Sequence, residues 1–89
     1  MTKAYLNKVI EDGRRRGKCY MVVKVVTEGN PGPEIIVNPA ENFDAKTTYY
    51  NKAYNEDLEL ISAKNAGKSV RISDALMTSN LNDLNWFIY

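Results

Sequence analysis

The chain has 89 residues, of which 44% are hydrophobic and 26% charged, so we expect one globular domain, 1–89, with a small core. Twelve Lys and Arg against eleven Asp and Glu give a net charge of +1, which argues against a polyanion-binding protein that works by bulk charge. The chain has no histidine and one cysteine, which excludes histidine-dependent catalytic triads and Cys/His zinc sites.

The single cysteine, Cys19, indicates a reducing compartment, because it cannot form a disulfide within the chain. It precedes an apolar segment, so we expect its thiol to be buried as a small hydrophobic group, with a reactive thiol as the alternative. The N-terminal residues lack the apolar core of a signal peptide, and no apolar run approaches the ~20 residues that a membrane span needs. We therefore expect a soluble, intracellular protein.

Residues 2–13 predict an amphipathic helix. Thr2 is a suitable N-cap residue, and Gly13 is a suitable C-cap residue, since a left-handed backbone favours glycine. Four apolar side chains recur at helical spacing and would form the buried face: Tyr5, Leu6, Val9 and Ile10.

Residues 18–28 predict the clearest strand, because β-branched residues are dense there. One face of this strand is uniformly apolar and should meet the helix: Cys19, Met21, Val23 and Val25. The other face contains Tyr20 and Lys24, and this mixed character suits a ligand or another subunit.

The remaining elements are shorter. The turn at 29–33 leads into a predicted strand at 35–37, and residues 40–48 are expected to be irregular or to form one helical turn. Residues 47–55 predict a further strand, or else a loop lined with three tyrosines. Segments 58–64 and 68–74 predict a hairpin around Gly67, residues 79–85 a turn or short helical stretch, and residues 86–89 a terminal strand. The sequence therefore predicts an α+β fold, with the N-terminal helix packed on a four- or five-stranded antiparallel sheet.

A dense basic cluster runs from Arg14 to Lys18 and contains four cations in five positions. Arginine forms forked hydrogen bonds with phosphates, so Arg14 and Arg16 are candidate phosphate ligands. The alternative is a solvated corner whose cations complement the negative end of the helix dipole.

Two polar and aromatic groups are further candidates. Tyr49, Tyr50 and Tyr54 offer flat faces and hydroxyl groups that suit a nucleobase or a protein partner, or else they form a half-buried strand or subunit contact. Asn82 and Asn85 belong to an Asx-rich stretch that would bind ribose hydroxyls or cap turns. Trp86 beside them is expected in the core. The carboxylates are scattered without the spacing of a glycosidase pair or a metal cluster, so nothing here indicates an enzyme.

Two segments resemble a family of small phage proteins that act as type II Thoeris anti-defence sponges. That family starts with a short helix that ends near glycine and basic residues, to which EDGRRR (11–16) is similar. It ends with a DLLA-x-DW-like segment, to which NLNDLNW (80–86) is similar, although Asn80 and Asn85 stand where the family often has aspartate.

This resemblance implies a non-catalytic binding protein without metal or cofactor, acting in the cytoplasm of the infected bacterial host. Such proteins sequester glycocyclic ADP-ribose, the signal of Thoeris immunity, and they assemble as homo-oligomers with ligand pockets between subunits. The resemblance implies that the cations bind the pyrophosphate, that the tyrosines bind the adenine and that the Asx side chains bind the riboses. The implied ligand-binding residues are Arg14, Arg16, Tyr49, Tyr50, Asn82 and Asn85.

Two other functions fit the same residues. The chain would act as a small phage inhibitor that covers a host enzyme through a tyrosine-rich surface, or it would bind RNA or DNA weakly through the basic cluster. The subunit number, dimer or tetramer, and the isomer of the bound signal are left open by the sequence.

Overall fold

The computed structural model describes residues 1–88, and its elements form an α+β fold with a three-stranded antiparallel sheet. The predicted terminal strand 86–89 is wrong for residues 86 and 87, which lie in a short helix, and residue 89 lies outside the described residues. The helices are α1 (Lys3–Arg15), α2 (Phe43–Ala53), α3 (Ile61–Asn65) and α4 (Leu84–Phe87), and the strands are β1 (Tyr20–Thr27), β2 (Glu34–Pro39) and β3 (Val70–Thr78). Short 3-10 turns, Ala40–Asn42 and Leu81–Asp83, precede α2 and α4.

Helix α1 begins where the sequence predicts, because the Thr2 side chain accepts a hydrogen bond of 3.2 Å from the Tyr5 N–H. Its predicted end at Gly13 is wrong, since the helix continues to Arg15 and the left-handed glycine is Gly17, at φ +70°. Gly13 has a different role. A Cβ atom there would lie 2.3 Å from the Cβ of Met77, so the missing side chain lets α1 approach β3.

Strand β1 is the centre of the sheet, which has the order β2-β1-β3. Val23 lies opposite Ile36 of β2 and Ala75 of β3, and the register to β3 shifts between Lys24 and Val25. Because side chains alternate across a strand, this register assigns the paired sheet residues to one of two faces.

The face of the sheet that contains Met21, Val23 and Val25 is called the inner face, and it holds the main core. These residues pack against both α1 and α2, as the sequence predicts for α1, through Leu6, Ile10, Phe43 and Tyr50. All of these side chains are at most 5% exposed. At about 25 cal/mol per Å² of apolar surface, this burial is the largest favourable contribution to folding.

The opposite face, called the outer face, is covered in part by the C-terminal segment. Phe87 is 3% exposed, and the Lys24 ammonium lies 4.9 Å from its ring centroid. The Thr78 hydroxyl donates a 2.6 Å hydrogen bond to Asp83 Oδ2 and ties the start of this segment to β3. Val22, on the same face, is fully buried.

The sheet has three strands over residues 1–88, and the prediction of four or five is not confirmed. Residues 47–55 lie mostly in α2, because Phe43, Tyr50 and Tyr54 recur at helical spacing and enter the core together. This tertiary packing overrides the preference of threonine and tyrosine for strands.

The predicted hairpin around Gly67 is also wrong. Segment 58–64 forms two isolated bridges before it turns into α3, and of these only Glu59 with Arg71 joins a strand of the sheet, while Leu60 bridges Tyr54 after α2. Gly67, at φ +78°, follows the end of that short helix. The left-handed backbone of Leu58, at φ 59°, bends the chain so that its side chain is fully buried.

A polar contact joins α1 to α2 beside the core. The side-chain amides of Asn7 and Asn51 exchange two hydrogen bonds of 2.8 Å, each donating to the other. The Lys3 ammonium donates to the Asn51 carbonyl oxygen at 2.8 Å. The two helices therefore meet through apolar packing on one side and through paired amides on the other.

Candidate functional site

One stripe of α1 lies beside the buried face and contains Tyr5, Val9 and Asp12, and the C-cap residue Arg16 continues its line. Successive members are four, three and four residues apart, which places them on one line of a helix. Tyr5 is 56% exposed. The stripe therefore presents an aromatic ring at one end and a guanidinium group at the other.

A groove of about 380 Å³ lies between this stripe and the edge of β3. Lys18 adds a second cation to its wall, and Ala75, Leu76 and Met77 line the side formed by the strand. An adjoining depression of about 360 Å³ shares Tyr5, Val9 and Asp12 with it. The α1–β3 groove is defined here as the space lined by Tyr5, Val9, Asp12, Gly13, Arg16, Lys18 and Ala75–Met77.

The cations of the basic cluster face different partners. The Arg14 guanidinium pairs with Asp44 of α2 at 2.7 Å, whereas Arg15 and Arg16 both pair with Asp12. The Arg16 contact, at 3.2 Å, joins Nε to Asp12 Oδ2 and leaves the two terminal nitrogens for a second anion. Since Lys18 has no ion-pair partner among residues 1–88, the cluster retains an excess of two positive charges, and Arg16 and Lys18 bring it to the groove.

The three tyrosines form a cluster of edge-to-face contacts, with ring centroids 5.5 to 6.1 Å apart. Tyr50 is 1% and Tyr54 4% exposed, while Tyr49 is 47% exposed. The Tyr50 hydroxyl accepts a 3.3 Å hydrogen bond from the Asn38 side-chain amide, so this ring belongs to the core. Tyr49 alone offers a ring face to a ligand, and the Lys46 ammonium already lies 5.5 Å from its centroid.

Burial of the tyrosine cluster predicts a loss of stability at alkaline pH. Burial raises the pKa of Tyr54 to about 12, with smaller contributions from the charges of Tyr49, Tyr50 and Glu34, and burial also raises the pKa of Tyr50. The unfolded chain releases these protons near pH 10, whereas the folded chain retains them. For Tyr54 the free energy of unfolding should therefore fall from about pH 10 to 12, by up to about 1.4 kcal/mol per pH unit, and the raised pKa of Tyr50 adds to the fall in the same direction.

Urea unfolding at a series of alkaline pH values measures this decline, and tyrosinate absorbance follows the ionisation directly. Replacing Tyr54 with phenylalanine removes one of the two retained protons and should make the decline shallower. Tyr5→Phe, at an exposed position, keeps the buried pair and serves as the control. An unchanged slope in Tyr54→Phe would contradict the assignment.

Asn82 and Asn85 lie on the C-terminal segment and are exposed. The Asn80 side chain accepts a 3.0 Å hydrogen bond from the Asn82 N–H, which is the turn-capping role expected of an Asx residue. The prediction that Trp86 lies in the core is wrong, because this residue is 61% exposed and the neighbouring Phe87 occupies the buried position. The Trp86 indole N–H reaches Asp83 Oδ1 at 3.5 Å.

The six residues predicted from the sequence do not meet in one place within a single copy. Arg16 lines the α1–β3 groove, Arg14 turns to α2, and Tyr49 lies on α2 with the buried Tyr50. Asn82 and Asn85 belong to the segment on the outer face. Tyr5 and Lys18 line the groove but are not predicted as site residues from the sequence. The eleven-residue spacing from Tyr5 to Arg16, about three helical turns, indicates that these two side chains lie on the same side of α1.

Two further predictions concern the groups available for chemistry. Cys19 is exposed, so the prediction of a buried thiol is wrong; its N–H donates to the Ser79 hydroxyl at 3.2 Å, in the loop before β1. Over residues 1–88 the acidic and cysteine side chains form no group of three that is placed to hold a metal ion. No helix in the described part of the chain is long and apolar enough to cross a membrane.

Comparisons of the chain with protein-family models, with curated proteins and with solved structures return no match.

Proposed function

We propose that this protein is a non-catalytic binding protein that sequesters a cyclic ADP-ribose-type immune signal, glycocyclic ADP-ribose, and thereby blocks Thoeris anti-phage defence. It would do so in the cytoplasm of an infected bacterial host, as a homo-oligomer, either dimer or tetramer. The observation that supports this proposal most directly is the α1–β3 groove, which combines an exposed tyrosine ring with two cations.

The chemistry of the groove suits a ligand of this class. A pyrophosphate needs charge-assisted hydrogen bonds, which Arg16 provides through its free guanidinium nitrogens and Lys18 through its ammonium group. A purine needs a flat face, which Tyr5 provides at the other end of the groove.

Calorimetry with glycocyclic ADP-ribose tests the proposal. Arg16→Ala should weaken binding by about 10- to 100-fold, because a hydrogen bond to a charged group contributes roughly 1.5–3 kcal/mol. Arg14→Ala is the matched control, since it removes the same charge but its guanidinium pairs with Asp44 outside the groove. We expect Arg14→Ala to retain affinity within about threefold.

Three results separate the possibilities. Heating the complex should return the ligand unaltered, as expected for sequestration. Equal losses in Arg14→Ala and Arg16→Ala would indicate bulk charge and not the groove. Absence of both heat and thermal shift with the wild-type protein would overturn the proposed function.

A second candidate is an inhibitor that binds a host enzyme directly, and the exposed apolar side chains favour it. Trp86 is 61%, Leu81 42% and Ile88 39% exposed, all on the C-terminal segment. Tryptophan is enriched among residues that dominate binding energy at protein interfaces. A stable complex with a host protein that contains no nucleotide, and that is lost in Trp86→Ala, would favour this function over sequestration.

A further inference from the structure

Strand β2 has an open edge. It pairs with β1 on one side, and among residues 1–88 no strand pairs with its other side. Pro33 and Pro39 flank the five residues Glu34–Asn38, and proline in a sheet is confined to edges and strand ends. An open edge presents unpaired backbone groups to any second strand, so this edge is a template for pairing.

One flank of α2 lies above this edge. Helix α1 contacts β3, while α2 contacts β2, so α2 lies on the β2 side of the inner face. Asp44 and Asn51 turn toward α1 through their contacts with Arg14 and Asn7. Helical periodicity places Lys46, Tyr49 and Ala53 on the opposite flank, which overhangs the open edge of β2.

We propose that β2 pairs antiparallel with β2 of a second copy of this chain about a twofold axis, which joins the two sheets into one of six strands. In such a sheet, opposed residues must point to the same face. The register that pairs all five residues places Ile36 opposite its own copy, Ile35 opposite Val37, and Glu34 opposite Asn38. Apolar side chains therefore meet apolar side chains, and no like charges are opposed.

Charge complementarity indicates that the strand pairing with the open edge of β2 comes from a second copy of this chain. Glu34 points to the inner face, where the proposed register places it opposite Asn38 of the second copy. Within that second copy the Asn38 side chain contacts Tyr50. Lys46 lies one helical turn before Tyr50 on the same α2. The carboxylate of Glu34 is therefore brought toward the ammonium of Lys46 across the axis, and twice by symmetry. Neither residue has an ion-pair partner among residues 1–88 of its own copy.

The pairing also covers apolar surface that one copy leaves exposed. Val37 is 38% exposed on the outer face, and Tyr49 is 47% exposed on the flank of α2. Stable interfaces bury about 1,600 Å², more than five paired residues supply, so the α2 flanks must contribute. This interface would be one contact within the homo-oligomer proposed above, and it rests on the proposal that the protein is a homo-oligomer.

Sedimentation of the wild-type chain and five variants, one of them a control, tests the interface. We expect a dimer at micromolar concentrations, weakened about tenfold by Lys46→Glu or Glu34→Lys, since each exposed pair contributes up to about 1 kcal/mol and occurs twice. The double variant with both changes should return to within about threefold of wild type. Val37→Lys should abolish the dimer, and circular dichroism verifies that each variant is folded.

Lys52→Glu is the matched control, because it makes the same charge change on the solvent side of α2 and should leave the dimer unchanged. A monomer up to the hundred-micromolar range, a failed rescue by the double variant, or an equal effect of Lys52→Glu would overturn the interface. Calorimetry on the same samples keeps the two proposals apart. A monomer that binds glycocyclic ADP-ribose overturns the interface alone, and a dimer that does not bind it overturns sequestration alone.

Discussion

Gly13→Val is expected to lower the free energy of unfolding by about 3 kcal/mol, because overpacking a close contact typically costs ~1–3 kcal/mol and occasionally more. The new Cβ would lie 2.3 Å from Met77 Cβ and 2.4 Å from Met77 Cγ. Met77 cannot relieve this contact by moving the end of its side chain alone, since its Cβ is fixed to the backbone of β3. Helix α1 must therefore move away from the sheet.

Urea unfolding followed by circular dichroism measures the change. Gly32→Val is the control, because a Cβ atom at Gly32 meets nothing within 4 Å and the backbone there is not left-handed. We expect the control to stay within about 0.5 kcal/mol of wild type. If the two variants are equally stable, α1 does not approach β3 as closely as described.

Phe87→Ala is expected to lower the free energy of unfolding by about 3 kcal/mol, the lower end of the range for a buried phenylalanine. Phe87 is 3% exposed and is the buried side chain through which α4 contacts the outer face. Its loss also removes the cation–π contact with Lys24, which contributes roughly 0.5–1 kcal/mol or more.

The adjacent Trp86→Ala is the matched control for Phe87→Ala. Trp86 is 61% exposed, and surface substitutions usually change stability by about 0.5 kcal/mol or less. Thermal unfolding of the two variants, side by side, compares two neighbouring aromatic residues with opposite burial. A larger loss in Trp86→Ala would show that the C-terminal segment packs through the other ring, as the sequence alone suggests.

The features that could be predicted from the sequence are those for which a single local pattern of residues determines the structure. The apolar residues Met21, Val23 and Val25 alternate without competition, and both the strand and the face that meets α1 follow from them. The Thr2 cap is a local interaction that depends on no distant residue. Both are therefore readable before any fold is known.

The errors arise where distant packing decides between two local patterns. Residues 47–55 contain threonines and tyrosines that favour strands, yet Tyr50 and Tyr54 fit the core only at helical spacing. In the C-terminal segment, Trp86 and Phe87 are neighbouring aromatic residues, and the path of the chain across the outer face decides which ring is buried. The arginines of the basic cluster also point in directions that the sequence does not reveal, because Arg14 pairs with Asp44 and Arg16 pairs with Asp12.

The paired amides of Asn7 and Asn51 have a consequence for how the two proposed surfaces are related. Apolar helix contacts tolerate small slips along the axis, whereas the Asn7 and Asn51 side chains form both of their reciprocal hydrogen bonds only at a single alignment of the two helices. Arg16 caps the C-terminal end of α1, and α2 contains Lys46. The paired amides therefore fix the alignment of α1 with α2. The distance between the α1–β3 groove and the proposed β2 interface then depends on Asn7 and Asn51, although neither side chain belongs to either surface.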